Sequence, residues 1–522
     1  MSTKRRLIEG SASGLVERLL NLVVQVWLFQ HLIKRISPEE YSLYPVVSAL
    51  MVFVPPLTTV LTAGLARDTM EAHTSGDDRR VTEIISTIFP VLLSTGLCLL
   101  AVGLVAVEYL GSILNIAPAN LSEGRLMTLL LLGSLVFRLI LVPFGVGLYV
   151  RQRFVLANTL VILQAVIKVV LLFVLLLGIG PRVLWVVVAT VTADAVIVLA
   201  TTVLSVQTLP ALRFRLHCIR WSLLSNLLAF GFWNMICSLG VFIRKSSDVL
   251  VLNRFATPVD VDSFQLASLT DNQIDATLIK LVEPVGPHMV ALHTTGAVRA
   301  MRQLYIRGGR YSLWAALFVA TPLIAFRQQL WSHYLGSRFS IYGDVPIVMV
   351  LLLARYWLEC PIGLLGTAAY AMQRMRTLSL IVIAYALTNL AITIYFVHYL
   401  HMGAIGSASG TLVSVLLWVP LIMWKFGLNL LGLKFGEWFK ATVWRGSIPS
   451  LIAGLFGWGW NFWMQPQTIP ELLLATAIVS AIYVLSIVLF CLDQDERLQI
   501  RQVFEKISSS SAYKNVASWT QP

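Results

Sequence analysis

The residues of this sequence that could do chemistry are the ionisable ones that interrupt otherwise apolar runs. Arg18, Arg244, Lys245 and Lys280 each stand within, or at the end of, a run long enough to cross a bilayer. A charge near the bilayer centre costs about 3 kcal/mol or more, so such a residue faces a cavity or a partner. Each also has a local structural reading. Arg18 lies two turns into its run and can snorkel to the interface, Arg244 has Asp248 at i+4, and Lys280 has Asp275 and Glu283 close in sequence. A second set, Arg138, Lys168 and Asp194, can form an internal network, and Asp194 alone has the chemistry of an ion-coupling carboxylate. Arg355 and Glu359, at i and i+4, read first as a helix pair. Pro55-Pro56 removes backbone hydrogen bonds within its run, which marks either a packing kink or a hinge.

Other chemistries find no support in the sequence. There is no phosphate loop, no metal-ligand spacing and no nucleophile triad, so no cofactor or metal is expected and the chain does not read as an enzyme. His288 and His293 read as solvated histidines. The five cysteines lie far apart, mostly inside apolar runs, and read as small apolar filler.

The elements that must position these residues follow from composition. Of 522 residues, 57% are hydrophobic and 12% charged, about half the charged share of a soluble domain, and mean hydropathy is +0.79. Lipid is therefore the solvent for most of the chain. Apolar runs of helix length fall near 10–33, 41–66, 83–110, 126–150, 154–178, 183–207, 224–246, 262–288, 311–333, 345–371, 377–400, 402–424, 446–464 and 470–492. The expected fold is an all-α polytopic membrane protein of about fourteen spans. The seventh and eighth runs are the most interrupted by charge. Lys4, Arg5 and Arg6 precede the first run as in a signal peptide, but no small-residue cleavage site follows, so an uncleaved first helix is expected.

A net charge of +13 invites a nucleic-acid reading, but the basic residues are scattered in short clusters between runs, not gathered in a stripe. With the N-terminus cytoplasmic, lysines and arginines in cytoplasmic segments outnumber those in outer loops about fourfold, a positive-inside signal that also favours an even number of spans. Both termini are expected in the cytoplasm.

The sequence also echoes itself. Tyr149-Val150-Arg151-Gln152-Arg153 follows the fourth run and Tyr370-Ala371-Met372-Gln373-Arg374 the tenth. Gly76-Asp77-Asp78-Arg79 precedes the third run and Gly296-Ala297-Val298-Arg299 the ninth. Both pairs are offset by nearly the same number of residues at matching loops, which suggests two parallel six-helix halves. The expected layout is a first half at 1–207, a basic cytoplasmic linker at 208–223 and a second half at 224–424. A cytoplasmic loop at 425–445, an extra helix pair at 446–492 and a cytoplasmic tail at 493–522 follow. Parallel repeats place a binding site where the halves meet.

Ser37-Pro38-Glu39-Glu40-Tyr41-Ser42-Leu43-Tyr44 reads locally as a capping box, with Ser37 as N-cap and Pro38 at the first helical position. It also resembles the start of the second span in polysaccharide-unit flippases of the multidrug/oligosaccharidyl-lipid/polysaccharide (MOP) exporter superfamily. Ser42 stands where that pattern usually has glycine. Gly64-Leu65-Ala66-Arg67-Asp68, Gly76 to Arg79, and Gly403-Ala404-Ile405-Gly406-Ser407-Ala408 are similar to later segments of the same family. The resemblance implies a flippase for a polyprenyl-diphosphate-linked oligosaccharide in the bacterial cytoplasmic (inner) membrane. Membrane lipid, polysaccharide polymerase and glycosyltransferases would be its partners. It implies too that spans 1, 2, 7 and 8 line the cavity, where Arg18, Arg244, Lys245 and Lys280 could hold the phosphates. Two alternatives remain at this point: a cation-coupled multidrug exporter of the same superfamily, and a polyprenyl-dependent glycosyltransferase, polymerase or ligase. Paired acids such as Glu39 and Glu40 occur in the latter class, but the short outer loops count against it.

Overall fold

The computed structural model describes residues 27–28, 30–51, 65–151, 153–282, 285–493 and 496–497. Arg18, Pro55, Pro56 and Glu283 lie outside the described residues. The longer helices are α1 (Leu43–Met51), α2 (Asp78–Glu108), α3 (Leu121–Gly145), α4 (Phe154–Gly178), α5 (Leu184–Thr208), α6 (Ser222–Phe255) and α7 (Pro258–Val282). They continue as α8 (Val285–Thr294), α9 (Val298–Ala325), α10 (Val345–Ala354), α11 (Met375–Ile394), α12 (Gly403–Trp418), α13 (Arg445–Met464) and α14 (Ile469–Ser486). No strand occurs among the described residues. Among the described residues, eight helical stretches are long and apolar enough to cross a membrane. A ninth forms if Val298–Ala325 and Arg327–Ser340, bent by 74°, count as one span. Helices α6 and α7 carry the interrupting charges foreseen for the seventh and eighth runs, yet each is continuous, over 34 and 25 residues.

Local chemistry sets the helix ends. Thr468 and Glu471 form a reciprocal capping box at the start of α14, and Asp77 caps α2 by accepting from the Arg80 N–H at 2.8 Å. The box expected at Ser37 is only half made. Ser37 Oγ accepts from the Glu40 N–H at 3.3 Å, but the Glu40 carboxylate accepts from the Val183 N–H at 3.4 Å, so a tertiary donor replaces the local one.

The echoed loops share one backbone solution. Gly76 and Gly296 both have positive φ (77° and 68°), where a Cβ would strain the chain. In the first loop the Gly76 N–H donates to His73 C=O and Asp77 N–H to Ala72 C=O. In the second, Gly296 N–H donates to His293 C=O and Ala297 N–H to Leu292 C=O, all at 3.0–3.1 Å. These are paired Schellman closures, and they explain why glycine stands at both positions.

The chain packs as two compact units. The first comprises Met1–Gln273, Tyr334–Leu352 and Ala369–Met423. In it, α2 packs on α3, α3 and α4 on α5, and α6 along α11, which in turn packs on α12. Ile85, Ile88, Leu92, Leu139 and Leu209 form part of one buried apolar cluster. The second comprises Ile274–His333, Leu353–Ala368 and Trp424–Pro522, where α9 packs on α13 and α13 on α14. Exposed Leu473, Leu474 and Leu485 give α14 the apolar outer face that a lipid-bathed helix needs.

Candidate functional site

Small residues set the geometry of the first unit's polar centre. Gly410 of α12 lies so close to α11 that a Cβ there would meet the Thr393 backbone at 3.0 Å. Glycine, alanine and serine along Gly403–Gly410 thus let two helices approach closely, as in other membrane helix pairs. Into that contact α6 inserts Asp248, only 3% exposed. Its two carboxylate oxygens accept from Thr393 and Thr411 Oγ1, each at 3.1 Å, with the Ser407 hydroxyl alongside. Asn389 extends the network, its amide nitrogen donating to Thr411 Oγ1 at 3.3 Å and Ser414 Oγ at 3.4 Å. The Asn389 side-chain oxygen is buried without a hydrogen-bond partner.

Arg244 lies one turn before Asp248, half-buried, with its guanidinium 5.5 Å from the centre of the Tyr385 ring. It acts on Asp248 through its charge, while hydroxyls make the carboxylate's hydrogen bonds. Lys245, next in sequence, is exposed. The expected i, i+4 relation of Arg244 and Asp248 is therefore part of a larger cluster drawn from three helices. Its oxygen-only donors suit a proton or a hard monovalent cation.

Of the second predicted set, Asp194 accepts a hydrogen bond from Gln164 and lies in the field of Lys168. Arg138 is exposed on α3. The structure thus brings Lys168 and Asp194 together, and Gln164 joins them in the place expected for Arg138.

Within the first unit, helix ends also meet in an uncharged seam. Asn253, near the end of α6, accepts from the Asn115 N–H at 3.0 Å and donates to the Asn115 C=O at 3.2 Å. Gln30 donates to the Tyr334 C=O at 2.9 Å.

In the second unit the charges pair. Arg355 binds Glu359, as its spacing foretold, and also Asp275 at 3.0 Å, while Tyr356 donates to Asp275 at 3.0 Å. Lys280, five residues after Asp275, is exposed near the end of α7. Arg310, counted in sequence as a basic loop residue, is instead inside α9 with 0% exposure. It pairs with Asp493 at 3.0 Å and with Glu496, and Arg445 also binds Asp493. Tyr311 donates to Glu496 as well. Local sequence gave no sign of these partners, which lie 183 and 186 residues from Arg310. The Asp248 cluster did leave a trace. Asn389 and Thr393 are four residues apart, as are Ser407 and Thr411, which makes a polar stripe on each of two apolar helices.

No family model matches the chain. EpsK of Bacillus subtilis (strain 168), described as an uncharacterized membrane protein, is 20% identical over 512 residues, covering 94% of this chain and 97% of that protein. Among solved structures, the lipid II flippase MurJ in an inward closed conformation superposes with a TM-score of 0.63 at 14% identity. The match covers 92% of this chain and all of that one. An inward-facing multidrug resistance transporter of the MATE family, in the MOP superfamily, gives a TM-score of 0.61 at 15% identity, covering 80% of this chain and 95% of that one. The chain is a multi-pass membrane protein with the MOP transporter fold, and about fourteen spans are consistent with it.

Proposed function

We propose that this chain is a flippase that moves a polyprenyl-diphosphate-linked oligosaccharide from the inner to the outer leaflet of a bacterial cytoplasmic membrane. The observation that carries this reading is the extent of the likeness. The lipid II flippase covers 92% of the chain, whereas the MATE transporters cover 80–81%, which leaves room for a pair of helices beyond a twelve-span core. Substrate enters from the cytoplasmic side, where both termini lie, and two six-helix halves rock about the cleft between them. Arg18, Arg244, Lys245 and Lys280 hold the diphosphate there, while the lipid tail stays in the bilayer. Fixed guanidinium and ammonium groups suit this task because they replace phosphate hydration without covalent chemistry. Pro55-Pro56 supplies the hinge. Lys168 and Asp194 brace the first half, with Arg138 at their edge.

The Asp248 cluster supports one addition. A buried carboxylate whose hydrogen bonds come from neutral hydroxyls can take up and release a proton or monovalent cation, so we place ion coupling at Asp248, with Arg244 one turn away. Glycosyltransferases would act before this step and polymerase after it.

The test is charge reversal in cells whose surface polysaccharide depends on the protein. Arg18→Glu, Arg244→Glu and Lys280→Glu are each expected to lower surface polysaccharide at least about tenfold at normal protein level, the worth of one charge-assisted hydrogen bond. Normal polysaccharide in all three would refute the cationic cleft. In proteoliposomes, ethidium export without oligosaccharide flipping would identify a multidrug exporter instead.

A further inference from the structure

Residues 209–222, the body of the expected basic linker, are tied along the first turns of α2. Thr82 Oγ1 donates to the Ala211 C=O at 2.9 Å, and Ser86 Oγ accepts from the Arg215 N–H at 2.9 Å. Thr87 Oγ1 accepts from the Arg220 N–H at 2.9 Å, and the Arg220 guanidinium reaches Glu83 at 3.0 Å. Positions 82, 83, 86 and 87 share one face of a helix, so α2 offers this segment a ladder of polar groups. Leu209 and Leu212, each 1% exposed, sit in the same buried cluster as Ile85 and Ile88, and the Phe214 ring lies 5.0 Å from that of Phe89. The segment is a strap with a fixed backbone.

That anchoring decides what the strap presents outward. Arg215 is extended, and side chains alternate along an extended chain, so Phe214 turns to α2 and Arg213 and Arg215 turn away, both exposed. Leu216 follows at 74% exposure and Trp221 at 61%. Residues 209–222 contain Arg213, Arg215, His217 and Arg220 but no aspartate or glutamate. Glu83, the buried carboxylate that meets Arg220, also meets Arg79 at 3.5 Å and Arg80 at 3.7 Å, so three arginines share it. The strap begins where the apolar helix α5 ends, at Thr208, which sets it at the edge of the bilayer. Exposed apolar side chains among arginines match a boundary where phosphates lie above acyl chains.

We propose that this strap binds anionic glycerophospholipid at the membrane surface, with Arg213 and Arg215 on the phosphates and Leu216 and Trp221 among the first acyl carbons. A zwitterionic head group would bring its own cation towards the arginines, so an anionic one is preferred. Inorganic phosphate would leave Leu216 and Trp221 in water. Because Ser86 holds the backbone on both sides of Phe214, the two arginines are set in place before lipid arrives, and little order is lost on binding. The transported substrate has no part in this contact, so the strap and the flippase reading can each fail alone.

The full-length protein, with its five native cysteines replaced by alanine and carrying Leu216→Cys, is labelled at position 216 with the apolar dye NBD. It is reconstituted in vesicles of equal phosphatidylglycerol and phosphatidylcholine, and one lipid at a time carries bromine on its acyl chains, which quenches the dye on contact. Quenching by brominated phosphatidylglycerol is expected to be the stronger, as for a local enrichment of about fivefold, the worth of about one arginine beside an anionic surface. Arg213→Gln together with Arg215→Gln should make the two lipids quench equally. These side chains are exposed and Ser86 bonds only the backbone at both positions, so the unfolding midpoint in detergent should not move. Equal quenching by the two lipids in the parent protein would overturn the proposal, as would a preference that survives both substitutions. Quenching by neither lipid would also overturn it and would turn the strap towards water or a protein partner.

Discussion

Asp248 and Arg310 are both buried ionisable residues on long helices, one in each unit, and their surroundings differ in kind. Arg310 is met by two carboxylates, one of them shared with Arg445, so charge answers charge. Asp248 is met by hydroxyls, with an arginine one turn away acting at a distance. A closed ion cluster is suited to holding helices together, because taking away any member leaves an unpaired charge behind. A carboxylate solvated by neutral donors keeps the capacity to take up a positive charge and give it back. The first arrangement suits fastening, and the second suits the uptake and release of a positive charge.

The strongest way to break this contrast is at Arg310. Arg310→Ala strands Glu496 and part of Asp493, and is expected to cost about 3–5 kcal/mol of stability, read as a lowered unfolding midpoint in detergent. Adding Glu496→Gln should restore part of that loss. An unchanged midpoint in the single variant would mean that the cluster fastens nothing.

At Asp248 the expected effects separate by substitution. Asp248→Leu orphans the threonine hydroxyls and should cost about 1–3 kcal/mol. Asp248→Asn keeps the shape and its hydrogen bonds, so stability should change by less than about 1 kcal/mol while flipping loses its response to an imposed ion gradient. Flipping by Asp248→Asn that still follows the gradient would remove the coupling role.

Acid sharpens the comparison further. Burial works against ionised Asp493, but Arg310 and Arg445 prevail and hold its carboxyl below the ordinary carboxylate range. Its contribution is therefore complete above the unfolded value, about 3.9, and is lost as pH falls through the lower folded value. Wild-type stability should fall over that acid range, and the loss should be smaller in Asp493→Asn. Equal acid sensitivity in the two proteins would contradict the assignment.

The smallest effect belongs to the uncharged seam. Asn253→Ala removes two neutral hydrogen bonds to Asn115 and should cost about 1 kcal/mol. It should also raise cysteine labelling at position 115 in an Asn115→Cys background, relative to Asn115→Cys alone. Unchanged labelling would mean that the seam does not shield position 115.

Much of the fold was legible in the sequence because lipid imposes one dominant rule. Backbone groups must be satisfied within each helix, so an apolar run of sufficient length announces an element. The predicted runs at 446–464 and 470–492 match α13, and α14 with its π-helical end Ile487–Cys491, to within a residue or two. The run at 311–333 fared less well. Its helix begins at Val298, and the chain bends by 74° near Phe326, so a stretch that composition read as basic loop is helix, with Arg310 buried at its end. Arg310 shows why. Its surroundings are made by residues far along the chain, and hydropathy sees only neighbours in sequence. Asp248 failed differently: its partner by spacing, Arg244, was plain, whereas Thr393 and Thr411 are small hydroxyl residues that scarcely dent an apolar run. The echo between the two loops has a local reason, because glycine at 76 and 296 answers a backbone need that no other residue meets cheaply.

Arg310 has a last consequence, for how the chain is made. When α9 leaves the ribosome, the carboxylate that will complete its pairing lies 186 residues downstream. At roughly 5–20 residues per second, synthesis of that stretch takes about ten to forty seconds. During that interval the nascent helix carries an unanswered guanidinium into the insertion machinery, and five further apolar runs follow before Glu496 is made. Biogenesis thus has a built-in delay between threading the helix and sealing it, and for that time a membrane chaperone would meet an arginine that the finished protein hides.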